Sequence, residues 1–239
     1  MPRLWPFLHF FSRSLRLSNP WNFKVPALMA IPYFLLLAGD TDNATAYTAV
    51  GLSLATIIGL AGIAYLSNDL ADRNTDERAG KPNATAQFQR WHIVALYLGF
   101  GLLALGPWWW FPKTWLSYGL LLAELVLFLV YAFPPLRLKE RPVWGIVADA
   151  TYGHVIPATL AGWTFYQVTG AIYAPITGLL WALAVWQLLL GMRNILFHQL
   201  QDAANDRQSG TRTFVTAFGA AKADTVVRLL VPFEVAALL

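Results

Sequence analysis

The chain has 239 residues, 57% of them hydrophobic and only 13% charged, with a mean hydropathy of +0.48, whereas soluble domains carry about a quarter charged residues. This composition indicates a lipid-embedded protein, and with no cysteine a disulfide framework, a thiolate metal site and thiol nucleophilic catalysis are excluded. The net charge of +4 does not read as nucleic-acid binding, because the basic residues sit between apolar segments and not on one soluble face.

Residues 1–13 open with Arg3 and a short aromatic stretch. Arg13, Arg16 and Lys24 then interrupt the apolar character, and the stretch has no small-residue cleavage site after it. This pattern predicts an interfacial amphipathic arm and not a signal peptide. A spanning helix needs roughly 20 mainly apolar residues to cross about 30 Å of hydrocarbon. Apolar runs at 24–39, 46–67, 91–111, 115–135, 144–166 and 171–196 meet that need, and a last one starts near Thr225. Isolated strands leave their backbone unsatisfied in lipid, and these runs are too long and continuous for barrel strands. The fold class expected is therefore all-α, a polytopic membrane bundle of about seven transmembrane helices. One membrane-embedded domain is expected over residues 1–239. The last apolar run is cut off at Leu239 while still apolar, as expected of a sequence truncated at its C-terminus.

Orientation follows from the distribution of Lys and Arg in the connections. The amino-terminal arm, the connection carrying Arg73, Arg78, Lys81 and Arg90, that carrying Arg137, Lys139 and Arg141, and the flanks of the sixth run fall on one side. Only Lys113 falls on the other, so the long polar connections are expected to face the cytoplasm.

Two of these cytoplasmic connections resemble one another. SNDLADRNTDERAG closes the second run and HQLQDAANDRQSG closes the sixth, each with spaced aspartates, an Asp-Arg pair and a Gly. The echo hints at duplicated helical halves, although two short loops can also match by chance. Asp69, Asp72 and Asp76 are spaced i, i+3, i+7, and Asp202 and Asp206 i, i+4, so each set points from one face if its helix continues past the membrane boundary. Carboxylates at this density repel unless cations lie between them. Hard oxygen donors of this kind suit Mg2+, which bridges a few carboxylates to substrate phosphate oxygens. The alternative is a solvated charged loop balanced by Arg73, Arg78 and Arg207.

At these residues the sequence resembles the UbiA superfamily of membrane-embedded prenyltransferases. Residues 68–76, NDLADRNTD, resemble its first aspartate-rich motif, NDxxDxxxD, and residues 202–206, DAAND, its second, DxxxD. Between them, residues 131–139, YAFPPLRLK, resemble the family's Tyr/Pro turn followed by basic residues. The resemblance implies a nine-helix bundle around a cavity open to the cytoplasm and to lipid. It also implies Mg2+ held on an isoprenoid diphosphate by Asp69, Asp72, Asp76, Asp202 and Asp206, with Asn68, Arg137, Lys139 and Lys81 binding substrate. The implied reaction ionises the diphosphate and alkylates an aromatic or lipid acceptor, in a bacterial inner membrane with the active site facing the cytoplasm. One departure is Arg78-Ala79-Gly80-Lys81-Pro82, where many members carry an Arg-Pro pair; Lys81 stands in that region as a point charge and not a fork.

The physical demands of such a reaction agree with the residues present. Negative charge developing on pyrophosphate calls for Mg2+ and basic side chains in a preorganised site. The allylic cation calls for a dry, aromatic-lined chamber, for which Tyr65, Tyr131, Tyr152 and Trp186 lie at suitable depth. Glu124, Asp149 and His154 stand out inside apolar runs, where an ionisable group normally faces a cavity or a partner. Asp149 and His154 suit acceptor recognition or proton removal, and equally an interhelical hydrogen bond. Two other functions use the same acids. One is the superfamily branch that transfers a phosphosugar to a polyprenyl phosphate. The other is a divalent-cation carrier, which would need its acids near the bilayer midplane and not at helix ends.

Overall fold

The computed structural model describes residues 20–78, 80–170 and 176–237; the predicted amino-terminal arm at 1–13 lies outside them. Among the described residues the regular elements are all helical. They are α1 (Pro20–Ala38), α2 (Asn43–Arg78), α3 (Arg90–Leu105), α4 (Trp115–Ala132), α5 (Pro142–Ala150), α6 (Ile156–Thr169), α7 (Ile176–Ser209), α8 (Phe214–Phe218) and α9 (Ala220–Ala236). Short 3-10 turns lie at Gly106–Trp109 and Leu138–Glu140, and a π-helical segment at Thr151–Val155 joins α5 to α6.

Among the described residues four helices are long and apolar enough to cross a membrane: Asn43–Arg78, Arg90–Trp109, Trp115–Ala132 and Ile176–Ser209. The apolar stretch Val25–Ala38 of α1 is shorter, and α1 carries Pro26 and Pro32 within it. The span predicted over 144–166 is not one continuous α-helix. Pro157 has no N–H to give to the preceding turn, and the Ile156 N–H reaches back to the Thr151 carbonyl, a π-type bond that absorbs the mismatch.

By internal contacts the chain forms two compact units. The first comprises the described residues of 1–114 with 164–170. In it α2 and α3 approach closely because two glycines of α2 face α3. A Cβ added at Gly59 would lie 2.3 Å from the Ala104 nitrogen, and one at Gly62 2.3 Å from the Phe100 ring. Small residues at such crossings let helix backbones pack in lipid, where no hydrophobic force drives them together. Farther along the same pair, Ser67 Oγ and Tyr97 Oη share a 2.9 Å hydrogen bond.

The second unit comprises 115–163 and the described residues from 176 onward. Its core gathers Ile146 of α5, Leu196 of α7, Val215 of α8 and Ala223, Val227 and Leu230 of α9. Gln199 Oε1 accepts the Phe214 N–H at 2.9 Å, tying α8 to α7. Arg193 of α7 grips Glu234 of α9 with two bonds of 2.6 and 3.0 Å. Gly191 of α7 packs against Ala150 and His154, where an added Cβ would lie 2.8 Å from Ala150 Cα.

Candidate active site

Why the aspartates stand on helices follows from local sequence. After the apolar part of α2 ends near Ser67, the polar stretch keeps good helix formers, Leu70, Ala71, Arg73, Glu77 and Arg78, and meets no Pro or Gly before Gly80. α2 therefore runs on for 36 residues in all, about 54 Å, well beyond the roughly 30 Å of hydrocarbon. The extra turns carry Asn68, Asp69, Asp72 and Asp76. The 34 residues of α7 extend past the apolar run in the same way and carry Asp202 and Asp206.

Both helices are closed by the same device. Gly80, at φ 64°, and Gly210, at φ 72°, adopt the left-handed conformation that glycine enters without steric cost. Behind Gly80, the Lys81 N–H reaches the Asp76 carbonyl at 2.8 Å and the Gly80 N–H reaches Glu77 at 3.2 Å. Behind Gly210, the Thr211 N–H reaches the Asp206 carbonyl at 2.8 Å and the Gly210 N–H reaches Arg207 at 3.3 Å. These are paired Schellman closures. They put Asp76 and Asp206 at the same position relative to their helix ends, with Asp72 and Asp202 one turn earlier on the same face. The similarity of the two sequences thus extends to their backbone construction.

In the first unit, Asp69 is buried, Asn68, Asp72 and Asp76 are half-buried, and the following loop folds back onto the helix. Asn83 organises that return. Its Nδ2 donates to the Asp69 carbonyl and to Asp76 Oδ2, both at 2.7 Å. Its Oδ1 accepts from the Thr85 N–H at 2.9 Å and hydroxyl at 2.7 Å. The Arg73 guanidinium donates to the carbonyls of Thr85 and Phe88, so it is a strap on the loop, more than the general charge balance read from sequence. Lys81 lies half-buried in the same return, anchored by its backbone. Sequence reasoning passed over Asn83 and Thr85; the one signal was Gly80, which forces the reversal that brings them back.

In the second unit, Arg137 opens the 3-10 turn in a left-handed conformation, φ 38°, and its Nε donates to Glu140 Oε1 at 2.5 Å. Lys139 sits half-buried in that turn. A Cβ added at Gly145 would lie 2.8 Å from the Leu138 carbonyl and 3.4 Å from Lys139 Cα, so the basic turn rests on the first part of α5. α5 and α7 run antiparallel, since Gly191 meets Ala150 and His154 while Leu196, later in α7, shares a core with the earlier Ile146. Continuing that register carries Asp202 and Asp206 toward the end of the unit that holds Arg137 and Lys139. Asp202 is exposed and Asp206 half-buried, as suits groups meeting a polar ligand.

Deeper in this unit, Tyr152 of the π segment donates to Asp149 Oδ1 at 2.6 Å. Its ring stands edge-on to Tyr131 at 5.0 Å and to Phe128 at 5.3 Å. Two of the four aromatics singled out from sequence, Tyr131 and Tyr152, are therefore neighbours. Glu124 is buried at 2% exposure, its Oε2 without a hydrogen-bond partner. His198, one turn before Asp202, is exposed.

Among the described residues, no group of three or more acidic or imidazole side chains forms a ready-made cage for a metal ion. The donor set of each helix end fits Mg2+ all the same. That ion takes one or two carboxylates and completes its shell with phosphate oxygens and water, and the carboxylates available are hard oxygen donors a turn apart.

Comparison with known proteins bears on both fold and family. The family model described as the UbiA prenyltransferase family matches residues 25–239. A lycopene elongase/hydratase of Haloferax volcanii is 29% identical over 220 residues, 81% of this chain and 64% of the relative. One of the same name from Halobacterium salinarum is 29% identical over 87% of this chain and 71% of its own length. The chain thus spans about two-thirds of the length of these relatives. A UbiA homolog from Archaeoglobus fulgidus, solved with GPP and Mg2+, superposes with a TM-score of 0.72 at 20% identity, covering 95% of this chain and 76% of its own. The same homolog bound to DMAPP and Mg2+ gives 0.71. At that identity the likeness carries the fold.

Proposed function

Because the chain belongs to the UbiA prenyltransferase family, we propose that it transfers a prenyl group from an isoprenoid diphosphate to an aromatic or lipid acceptor with the aid of Mg2+. In this reading residues 1–239 work as one membrane-embedded domain. Asp69, Asp72, Asp76, Asp202 and Asp206 hold Mg2+ on the diphosphate, while Asn68, Arg137, Lys139 and Lys81 bind its oxygens. The observation that carries the reading is the shared construction of the two helix ends, each closed by a left-handed glycine at the same spacing beyond its last aspartate. The UbiA homolog solved with GPP or DMAPP and Mg2+ supports the donor and the ion. The name of the haloarchaeal relatives favours, within the lipid class, a polyene acceptor.

The chemistry assigns each group a task. Bound magnesium supplies charge neutralisation to the departing pyrophosphate. Arg137, steadied by Glu140, and Lys139 add donors in the turn that rests on the first part of α5, to meet the negative charge that grows as the carbon–oxygen bond ionises. Asn83 sets the Asp76 carboxylate before substrate arrives, so that little reorganisation is left for the reaction itself. The distribution of Lys and Arg supports a cytoplasmic opening in the cell membrane, a bacterial inner membrane by the sequence reading.

The test uses membranes containing the full chain, labelled prenyl diphosphates of several lengths and a panel of aromatic and polyene acceptors, with Mg2+ or with EDTA. Turnover is expected with Mg2+ and none with EDTA. Asp72→Asn and Asp206→Asn are each expected to abolish turnover at unchanged expression; retained activity in either would refute the assignment.

A further inference from the structure

Joining an allylic cation to an unsaturated carbon leaves the acceptor positively charged with one hydrogen to lose, and carboxylates committed to a divalent cation are poor bases for it. We propose that Asp149, held by Tyr152, is the proton acceptor, and that Phe128, Tyr131 and Tyr152 form the wall against which the charged acceptor rests. This inference rests on the prenyl-transfer reading above.

Every part of it lies within the second unit. Asp149 sits seven residues into α5 from Pro142, about 10 Å along the helix, within an apolar run where an ionisable side chain normally faces a cavity or a partner. It is half-exposed, while Ala148 and Ala150 on either side are buried, so the protein does not enclose its carboxylate and leaves it open to a ligand. The 2.6 Å bond from Tyr152 Oη engages Oδ1 and fixes the direction of the carboxylate. The two ring contacts of Tyr152, at 5.0 and 5.3 Å, put two further aromatic groups against the ring of the tyrosine that holds that carboxylate. Their faces stabilise a cation without acting as nucleophiles.

Register places the base correctly relative to the leaving group. Gly145 lies on the same face of α5 one turn before Asp149 and packs on the turn of Lys139. The base is thus about 6 Å deeper along the helix than the residue resting on the proposed pyrophosphate turn, a spacing suited to a carbon bonded to the diphosphate and the acceptor beyond it. Asp149 and Tyr152 are three residues apart, the spacing at which one helical face brings side chains together, and the π segment follows directly at Thr151–Val155. His154 is a poorer base, being buried against Gly191, where an added Cβ would lie 2.9 Å from its Cδ2.

The step balances. The allylic carbon–oxygen bond breaks with its electron pair going to pyrophosphate, and the acceptor π pair forms the new carbon–carbon bond. The adjacent carbon–hydrogen bond then breaks, its pair restores the π system, and the proton moves to Asp149.

The experiment tracks two products in the full chain in lipid nanodiscs with Mg2+, labelled geranyl diphosphate and the panel acceptor turned over by the wild type. These are pyrophosphate released and prenylated acceptor formed. Asp149→Asn is expected to lower prenylated acceptor by about 100-fold or more while pyrophosphate release, with the cation captured by water, stays within about threefold. Asp149→Glu is expected to restore part of the product. Tyr152→Phe, which keeps the carboxylate and removes its hydrogen bond, is expected to lower product about tenfold and carries the test if Asp149→Asn does not fold. The inference is overturned if product in these variants stays near wild type, or if product and pyrophosphate fall in parallel, as a merely structural role requires. A wild type that releases no pyrophosphate with any acceptor in the panel overturns the prenyl-transfer reading itself.

Discussion

Replacing Asn83 by alanine tests how the first aspartate motif is held. The side chain makes four hydrogen bonds, to the Asp69 carbonyl, the Asp76 carboxylate and the Thr85 amide and hydroxyl. A neutral bond contributes a net of about 1 kcal/mol and one to a charged group about 1.5–3 kcal/mol. The bonds act as one unit, and Asp76 is half-buried, so water replaces part of what is lost. The bond to Thr85 is harder to replace, because that residue is 1% exposed. Asn83→Ala is therefore expected to destabilise the loop by about 2–3 kcal/mol. If half of that serves to preorganise Asp76, Mg2+-dependent affinity for a prenyl diphosphate falls about tenfold, since 1.4 kcal/mol is one decade. The assay is thermal unfolding in detergent with and without Mg2+ and geranyl diphosphate, alongside the Mg2+ concentration giving half-maximal turnover. Asn83→Asp replaces a donor to Asp76 by a like charge, and is expected to raise the Mg2+ requirement further and to recover at high Mg2+. Wild-type unfolding and Mg2+ dependence in both variants would refute the role given to Asn83.

Two further perturbations are equally direct. Gly62→Ala places a methyl 2.3 Å from the Phe100 ring, and overpacking of this kind costs about 1–3 kcal/mol; a lowered midpoint in detergent is expected, and no change would mean that α2 and α3 pack otherwise. Asp42 caps α2: hydrogen bonds from Thr45, first from its side chain and then from its N–H, hold the carboxyl below its ordinary value. A carboxyl lowered on folding contributes stability that is present above the ordinary carboxylate range and is lost as pH falls through the lowered value. The difference in unfolding midpoint between wild type and Asp42→Ala should therefore persist at neutral pH and shrink below about pH 4.

Much of the candidate site was legible one element at a time. Asp69, Asp72 and Asp76 were placed on one helical face by spacing alone, and the helix continues through them because no Gly or Pro intervenes before Gly80. The same holds for Asp202 and Asp206 up to Gly210. What a local pattern does not reveal is which residue returns to meet another after a reversal. Asn83 lies in a loop with no periodicity, and its partnership with Asp76 depends on the left-handed turn at Gly80. Hydropathy marks 144–166 as one span and is indifferent to one extra residue in a turn, whereas Pro157 removes a backbone donor and the helix widens ahead of it.

The class of protein, the extension of two helices beyond the membrane and the identity of the acidic and basic groups follow from sequence, because apolar run length, helix propensity and glycine position act over a few residues and need no partner. Only the tertiary structure decided that Tyr131 joins Tyr152 and Asp149 in one cluster, that Arg193 is paired with Glu234, and that α7 brings Asp202 toward the turn of Lys139. Those outcomes depend on how side chains distant in the chain fill shared space, and close packing admits few solutions that neither a period nor a composition encodes.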